Sequence, residues 1–193
     1  MSLPKTAKGI ASRITKIRAY LSSEKREYGA IDDSSGLRYE LFYLYFLLRD
    51  NRRSGAYFSW FQKEFPDDGG EPIQLLCWSL MLHRMGKPAD QLLARTMLSN
   101  IYFLPELLGQ PIAQQDMWHF SNYCQPGMIE YLPEPVLKAI TADDRAWIAE
   151  KLASSPFQTA LQRHIAINKE LLTAPVGEGR SALVGELHHL FEK

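Results

Sequence analysis

Apolar positions recur along this chain at helical spacing, and the breaks between them fall on turn-forming residues. Ile10, Ile14, Ile17 and Leu21 share one face of a helix predicted over residues 8–22. Residues 39–50 are apolar on nearly every side, which on a helix means burial all round. Such an aromatic run also fits a buried strand, but leucine dominates it and favours helix. Residues 55–65 carry Tyr57, Phe58, Trp60, Phe61 and Phe65 as a broad aromatic face, and 66–70, Pro-Asp-Asp-Gly-Gly, reads as a loop. Pro72 suits the first position of the next helix, which runs through Leu82 to a stop at Gly86. Pro88 opens another, with Ala89, Leu92, Leu93, Thr96 and Met97 as its stripe, continuing to Leu104.

Five prolines (105, 111, 126, 133 and 135) then predict short elements separated by bends. Thr141 with Asp144 three residues on is an N-terminal capping pattern, so a helix is expected from Ala142 to about Ser154. Ser155, Pro156 and Gln158 cap a longer helix reaching Thr173. Gly177 and Gly179 break it, and Leu183, Val184, Leu187, Leu190 and Phe191 face one side of a last helix.

Leucine occurs 26 times against three valines, and β-branched residues favour strand while leucine favours helix. The expected class is all-α, built of antiparallel helical hairpins. One domain spans 1–193: a basic amphipathic helix within 1–23, a hairpin pair over 37–104, and a bundle-like C-terminal part over 105–193.

A shift of 35 residues lays 37–65 over 72–100, pairing apolar positions 41/76, 42/77, 43/78, 45/80, 46/81, 47/82, 57/92 and 58/93. Leu41/Leu76, Leu47/Leu82 and Arg49/Arg84 are identical. Two helices per unit at this period resembles the tetratricopeptide repeat. The small residue that family carries early in its second helix is poorly placed here, and a generic bundle with two similar amphipathic hairpins accounts for the same pattern. The resemblance implies a concave surface lined by first-helix side chains, Tyr45, Arg49, Leu80 and Arg84, that grips an acidic or C-terminal peptide. Helix capping by Arg49 and Arg84 is the plainer role for those two.

Lysine plus arginine equals aspartate plus glutamate at 22 each, so no net field steers the chain toward nucleic acid. The apolar run at 41–48 is far too short to span a bilayer. Lys8, Arg13, Lys16 and Arg18 interrupt what a secretory signal would need as a continuous apolar stretch. The first 23 residues hold five basic residues and no acid, which suits docking on the domain, an import signal, or weak contact of 8–22 with a membrane surface. Cys77 and Cys124 lie in apolar sequence, pointing to free thiols and a cytoplasmic setting.

Chemistry-bearing motifs are sparse. There is no P-loop and no Gly-x-Ser-x-Gly. Gly177-x-Gly179-x-x-Ala182 fits a dinucleotide fingerprint only nominally, because no strand precedes it. Cys77/His83 and His119/Cys124 are not at zinc spacing, and Glu186-x-x-His189 occurs once where a di-iron bundle needs two. No metal and no cofactor are expected. His164 and Asn168 share a face with Phe157, Leu161, Ile165, Leu171 and Leu172, so each either bonds a neighbour in the core or contacts a ligand in an internal pocket. The sequence thus favours a non-catalytic module for protein or peptide partners. The alternative is a helical enzyme or small-molecule binder with a pocket near His164.

Overall fold

The structure, a computed structural model, describes residues 3–118 and 121–192. Among them there are helices and no strand, as the leucine-rich pattern predicts. His119 and the Phe191 side chain, which entered the zinc and last-helix expectations, lie outside the described residues.

The first helix, α1 (Ala7–Tyr28), starts where the Thr6 hydroxyl accepts the Gly9 N–H and ends on Gly29 in the left-handed region. It runs six residues past the predicted end at Ser22. Ile10, Ile14, Ile17 and Leu21 are all buried against the next helix, α2 (Leu37–Leu48). Arg13 forks onto Glu40 at 2.8 and 2.9 Å, Lys25 pairs with Glu64, and Arg18 lies 3.8 Å over the Trp60 ring. The isoleucine stripe is therefore spent on the domain rather than offered to a membrane. Among the described residues no helix is long and apolar enough to cross a membrane.

Helix α2 is the centre of the molecule. Its apolar sides are consumed by α1, by α3 (Asn51–Glu64), by α4 (Pro72–Arg84) and by α7 (Glu134–Ala139). The buried Asp33 carboxylate starts α2 by accepting the N–H groups of Leu37 and Arg38, at 2.8 and 2.6 Å. Only Arg49 and Asp50 separate α2 from α3. Arg49 takes the left-handed conformation and the Asp50 carboxylate accepts the Arg53 N–H, so α3 begins four residues before the predicted Gly55. Its aromatic face meets Phe42 and Trp78: the Phe42–Tyr57 and Phe42–Phe61 rings pack edge-on at 4.8 and 4.9 Å, and Phe58 stacks on Trp78 at 5.3 Å.

The second hairpin joins α4 to α5 (Asp90–Ser99), and α2 packs directly on α4. Leu41 and Leu76, the matched leucines, are both fully buried, as is Leu80, and Tyr45 is nearly so. The predicted run to Leu104 is interrupted: α5 ends at Ser99 and α6 (Phe103–Leu107) carries Pro105 within it.

The proline-rich stretch forms two 3-10 turns and the short α7, held by polar side chains rather than by length of helix. Asn100 accepts the N–H groups of Tyr102 and Phe103 and donates to the carbonyls of Tyr123 and Gln125. Glu106 accepts the Gly127 N–H at 2.7 Å. The capping box of Thr141 and Asp144 opens α8 (Ala142–Ala153) as predicted. The cap of α9 (Ser155–Thr173) falls one residue earlier than predicted, on Ser154, whose hydroxyl turns back to the Lys151 carbonyl. The last helix, α10 (Glu178–Glu192), packs on α9 and α5.

Candidate functional site

The residues expected to line a concave peptide surface do not share one. Tyr45 is buried with its ring stacked on Tyr57 at 4.7 Å, and Leu80 has no exposed surface. The reason is packing: α1 and α7 roof over the first-helix side of the hairpin pair, and α8 closes its end. Arg84 is held there, its Nε and Nη2 on the Asp144 carboxylate at 3.0 and 2.5 Å and its guanidinium 4.3 Å from the Phe46 ring. Arg49 is exposed at the α2–α3 junction and donates to the Ala139 carbonyl.

His164 and Asn168 are buried, as their face predicts. Asn168 Nδ2 donates to the His164 carbonyl at 2.8 Å, and the Asn168 backbone carbonyl accepts the Trp118 N–H at 2.9 Å. Neither residue lines the two cavities described next.

Helix α5 divides two concavities. One, of about 680 Å³, is bounded by the 67–70 loop, Leu75, Trp118 and the Val184, Leu187 and His188 side of α10. The other, of about 590 Å³, is the cleft between the two hairpins on their second-helix side, with Phe58, Ser59 and Gln62 of α3 facing Asp90, Leu92 and Arg95 of α5. Gln91 and Arg95 border both.

The loop wall is rigidly tied. Asp68 accepts Arg38 Nε and the Tyr39 hydroxyl, each at 2.8 Å, and the Gly70 N–H at 2.8 Å. Gly70 sits at φ 77°, where a Cβ would meet the Gln74 Oε1 at 2.5 Å and Leu75 Cδ2 at 2.7 Å. The next carbonyl upstream, Gly69, accepts Arg95 Nη2 at 2.8 Å. Arg95 has no other hydrogen bond and no ion pair among the described residues, and its Nε is buried without an acceptor. Burial pulls its pKa below the usual arginine value, opposed only by the field of Asp68.

In the cleft, Trp78 is 8% exposed and its indole Nε1 has no acceptor. His83 stacks flat on Trp147 at 4.1 Å, and Asp90 is paired with Lys151 at 2.7 Å, whereas Lys87 at the rim has no ion pair among the described residues.

Other sequence candidates resolve as structure. Among the described residues no group of three or more His, Cys, Asp or Glu is placed to hold a metal. Glu186 is taken by Arg163, bonded at 2.7 and 2.5 Å. Gly177 lies in the α9–α10 junction and Gly179 in the first turn of α10. No family model matches the chain, and neither a curated protein nor a solved structure shows detectable similarity to it.

Sequence reasoning passed over Arg95 and Trp78. One signal for Arg95 was present: it is the sole charged residue between Asp90 and Glu106, on a segment otherwise apolar or neutral. Trp78 gave none, since an aromatic in an apolar helix reads as core.

Proposed function

We infer that the protein is a non-catalytic interaction module that takes a peptide segment of acidic character into the cleft between α3 and α5. The observation that carries this is Trp78, which lines an open groove and whose buried indole donor lacks an acceptor. Buried donors are almost always satisfied, and a peptide backbone brings carbonyls at regular intervals. The charges agree with an acidic occupant: Lys87 and Arg95 border the cleft, and its one carboxylate, Asp90, is already neutralised by Lys151. Two stacked hairpins with matched leucines in a shared core support a tetratricopeptide-like middle. The groove then opens on the second helices, because the first are covered. Two free cysteines fit a reducing compartment, and we place the module in the cytoplasm.

The test is selection from displayed random peptides, with acidic, neutral and basic libraries offered to the intact protein. Acidic sequences should be enriched, and their affinity should fall several-fold in Trp78→Phe, as for loss of one neutral hydrogen bond. Lys87→Glu should slow their association. Enrichment of no acidic sequence, or equal binding by both variants, overturns the reading.

A further inference from the structure

Arg95 has a second exposure, on the far side of α5, and there its surroundings are of another kind. The walls of the 680 Å³ cavity are largely apolar, formed by Leu75, Trp118, Val184 and Leu187. This volume lies within the range of small-molecule sites, which pair apolar walls with a few convergent polar groups. The guanidinium donates to one carbonyl, that of Gly69, and its buried Nε has no acceptor. The nearby carboxylate of Asp68 is committed to Arg38, Tyr39 and the Gly70 N–H. A guanidinium stays charged in a protein, so a half-buried one without a counterion is an attraction waiting for an anion. Arginine's fork suits a planar two-oxygen group.

We propose that this cavity binds a small monocarboxylate with an apolar body, its carboxylate on Arg95 and its alkyl or aryl part against Trp118, Val184 and Leu187. A monoanion fits better than a phosphate, since the cavity offers a single arginine, and the Asp67 carboxylate on the loop wall opposes a second negative charge; the other polar lining groups are Gln91, Ser99 and His188. The tied 67–70 loop keeps the wall and the Gly69 carbonyl in place, so the guanidinium is aimed before the ligand arrives. Pre-organisation of this kind lowers the ordering cost of binding. The site is separate from the peptide cleft, although the two share the α5 partition.

Calorimetric titration of the full chain with 4-phenylbutyrate and decanoate, beside 4-phenylbutanol and decyl phosphate, tests this. Both carboxylates should bind at least tenfold more tightly than the alcohol and more tightly than the phosphate. Arg95→Met should remove that preference, leaving carboxylate and alcohol equal. Val184→Trp, which fills the cavity and keeps Arg95, should abolish binding without lowering the melting temperature, covering the case in which Arg95→Met fails to fold. Trp78→Phe should leave carboxylate binding unchanged. Carboxylates that bind no better than the alcohol, a tighter phosphate, retained binding in Val184→Trp, or loss in Trp78→Phe would each overturn the proposal, and only the last would point back to the cleft.

Discussion

Arg49 and Arg84, which occupy matching positions in the two hairpins, donate to the same carbonyl oxygen, that of Ala139, at 3.3 and 2.9 Å. Ala139 ends α7, so both arginines meet the carbonyl-rich end of a helix, where positive charge is favoured. They differ in everything else. Arg84 also carries the Asp144 carboxylate, whose side chain is 3% exposed, while Arg49 has only the carbonyl. Arg84→Ala should cost about 3 kcal/mol by stranding a buried charge, and Arg49→Ala only about 0.5 kcal/mol. Urea melts of the two variants and of Arg84→Ala/Asp144→Asn would show it, since the double variant should recover part of the loss. Equal effects of the two arginines would refute this assignment.

The same carboxylate gives an acid limb to stability. Burial pushes Asp144 upward, but hydrogen bonds from Arg84 and from the N–H and hydroxyl of Thr141 outweigh it and hold the group below its usual value. A depressed carboxyl contributes stability above its unfolded pKa, about 3.9, and loses it as pH falls through the folded one. Asp144→Asn should therefore be less stable near neutrality and decline less steeply below about pH 4. Denaturant midpoints between pH 2 and 7 check this, and parallel curves for parent and variant would contradict it.

Leu76 and Leu172 offer a contrast in one residue type. Leu76 is fully buried where the hairpins meet, and Leu172 is 46% exposed on α9. Leu76→Ala should cost about 2 to 5 kcal/mol, and Leu172→Ala less than about 1 kcal/mol. A Leu76→Ala protein as stable as the parent would sink the stacked packing of α2 on α4.

Cys77 has no exposed surface, and burial pushes its thiol well above the usual value. It should resist aromatic disulfide reagents until the protein unfolds, because the thiolate is the reactive form. Two thiols should titrate in denaturant. Fast labelling of Cys77 in the native protein would count against the core described here.

Gly70→Ala should destabilise the chain by about 1 to 3 kcal/mol, from a positive φ and overlap with Gln74 and Leu75. Gly69→Ala, which meets nothing within 4 Å, should be close to neutral. Thermal melts of the pair decide it.

Local chemistry made much of the fold legible. The Thr141 box placed α8 to the residue, and the 66–70 turn and the isoleucine stripe of α1 were read from spacing alone. The start of α3 was not, because Arg49 bends the chain in a conformation that only context allows a non-glycine residue. The candidate site was less legible still. Tyr45 and Leu80 fall on the faces a repeat would expose, and only the long-range placement of α1 and α7 covers them. Arg95 becomes notable once Asp68 is seen to be occupied by residues thirty positions away.

The burial of α2 has a consequence for the growing polypeptide. Its core partners include α7, whose last residue bonds Arg49 across 90 positions. At synthesis rates of roughly 5 to 20 residues per second, part of the α2 surface stays uncovered for several seconds on the ribosome. During that interval the most greasy segment of the chain is the one a chaperone would meet first.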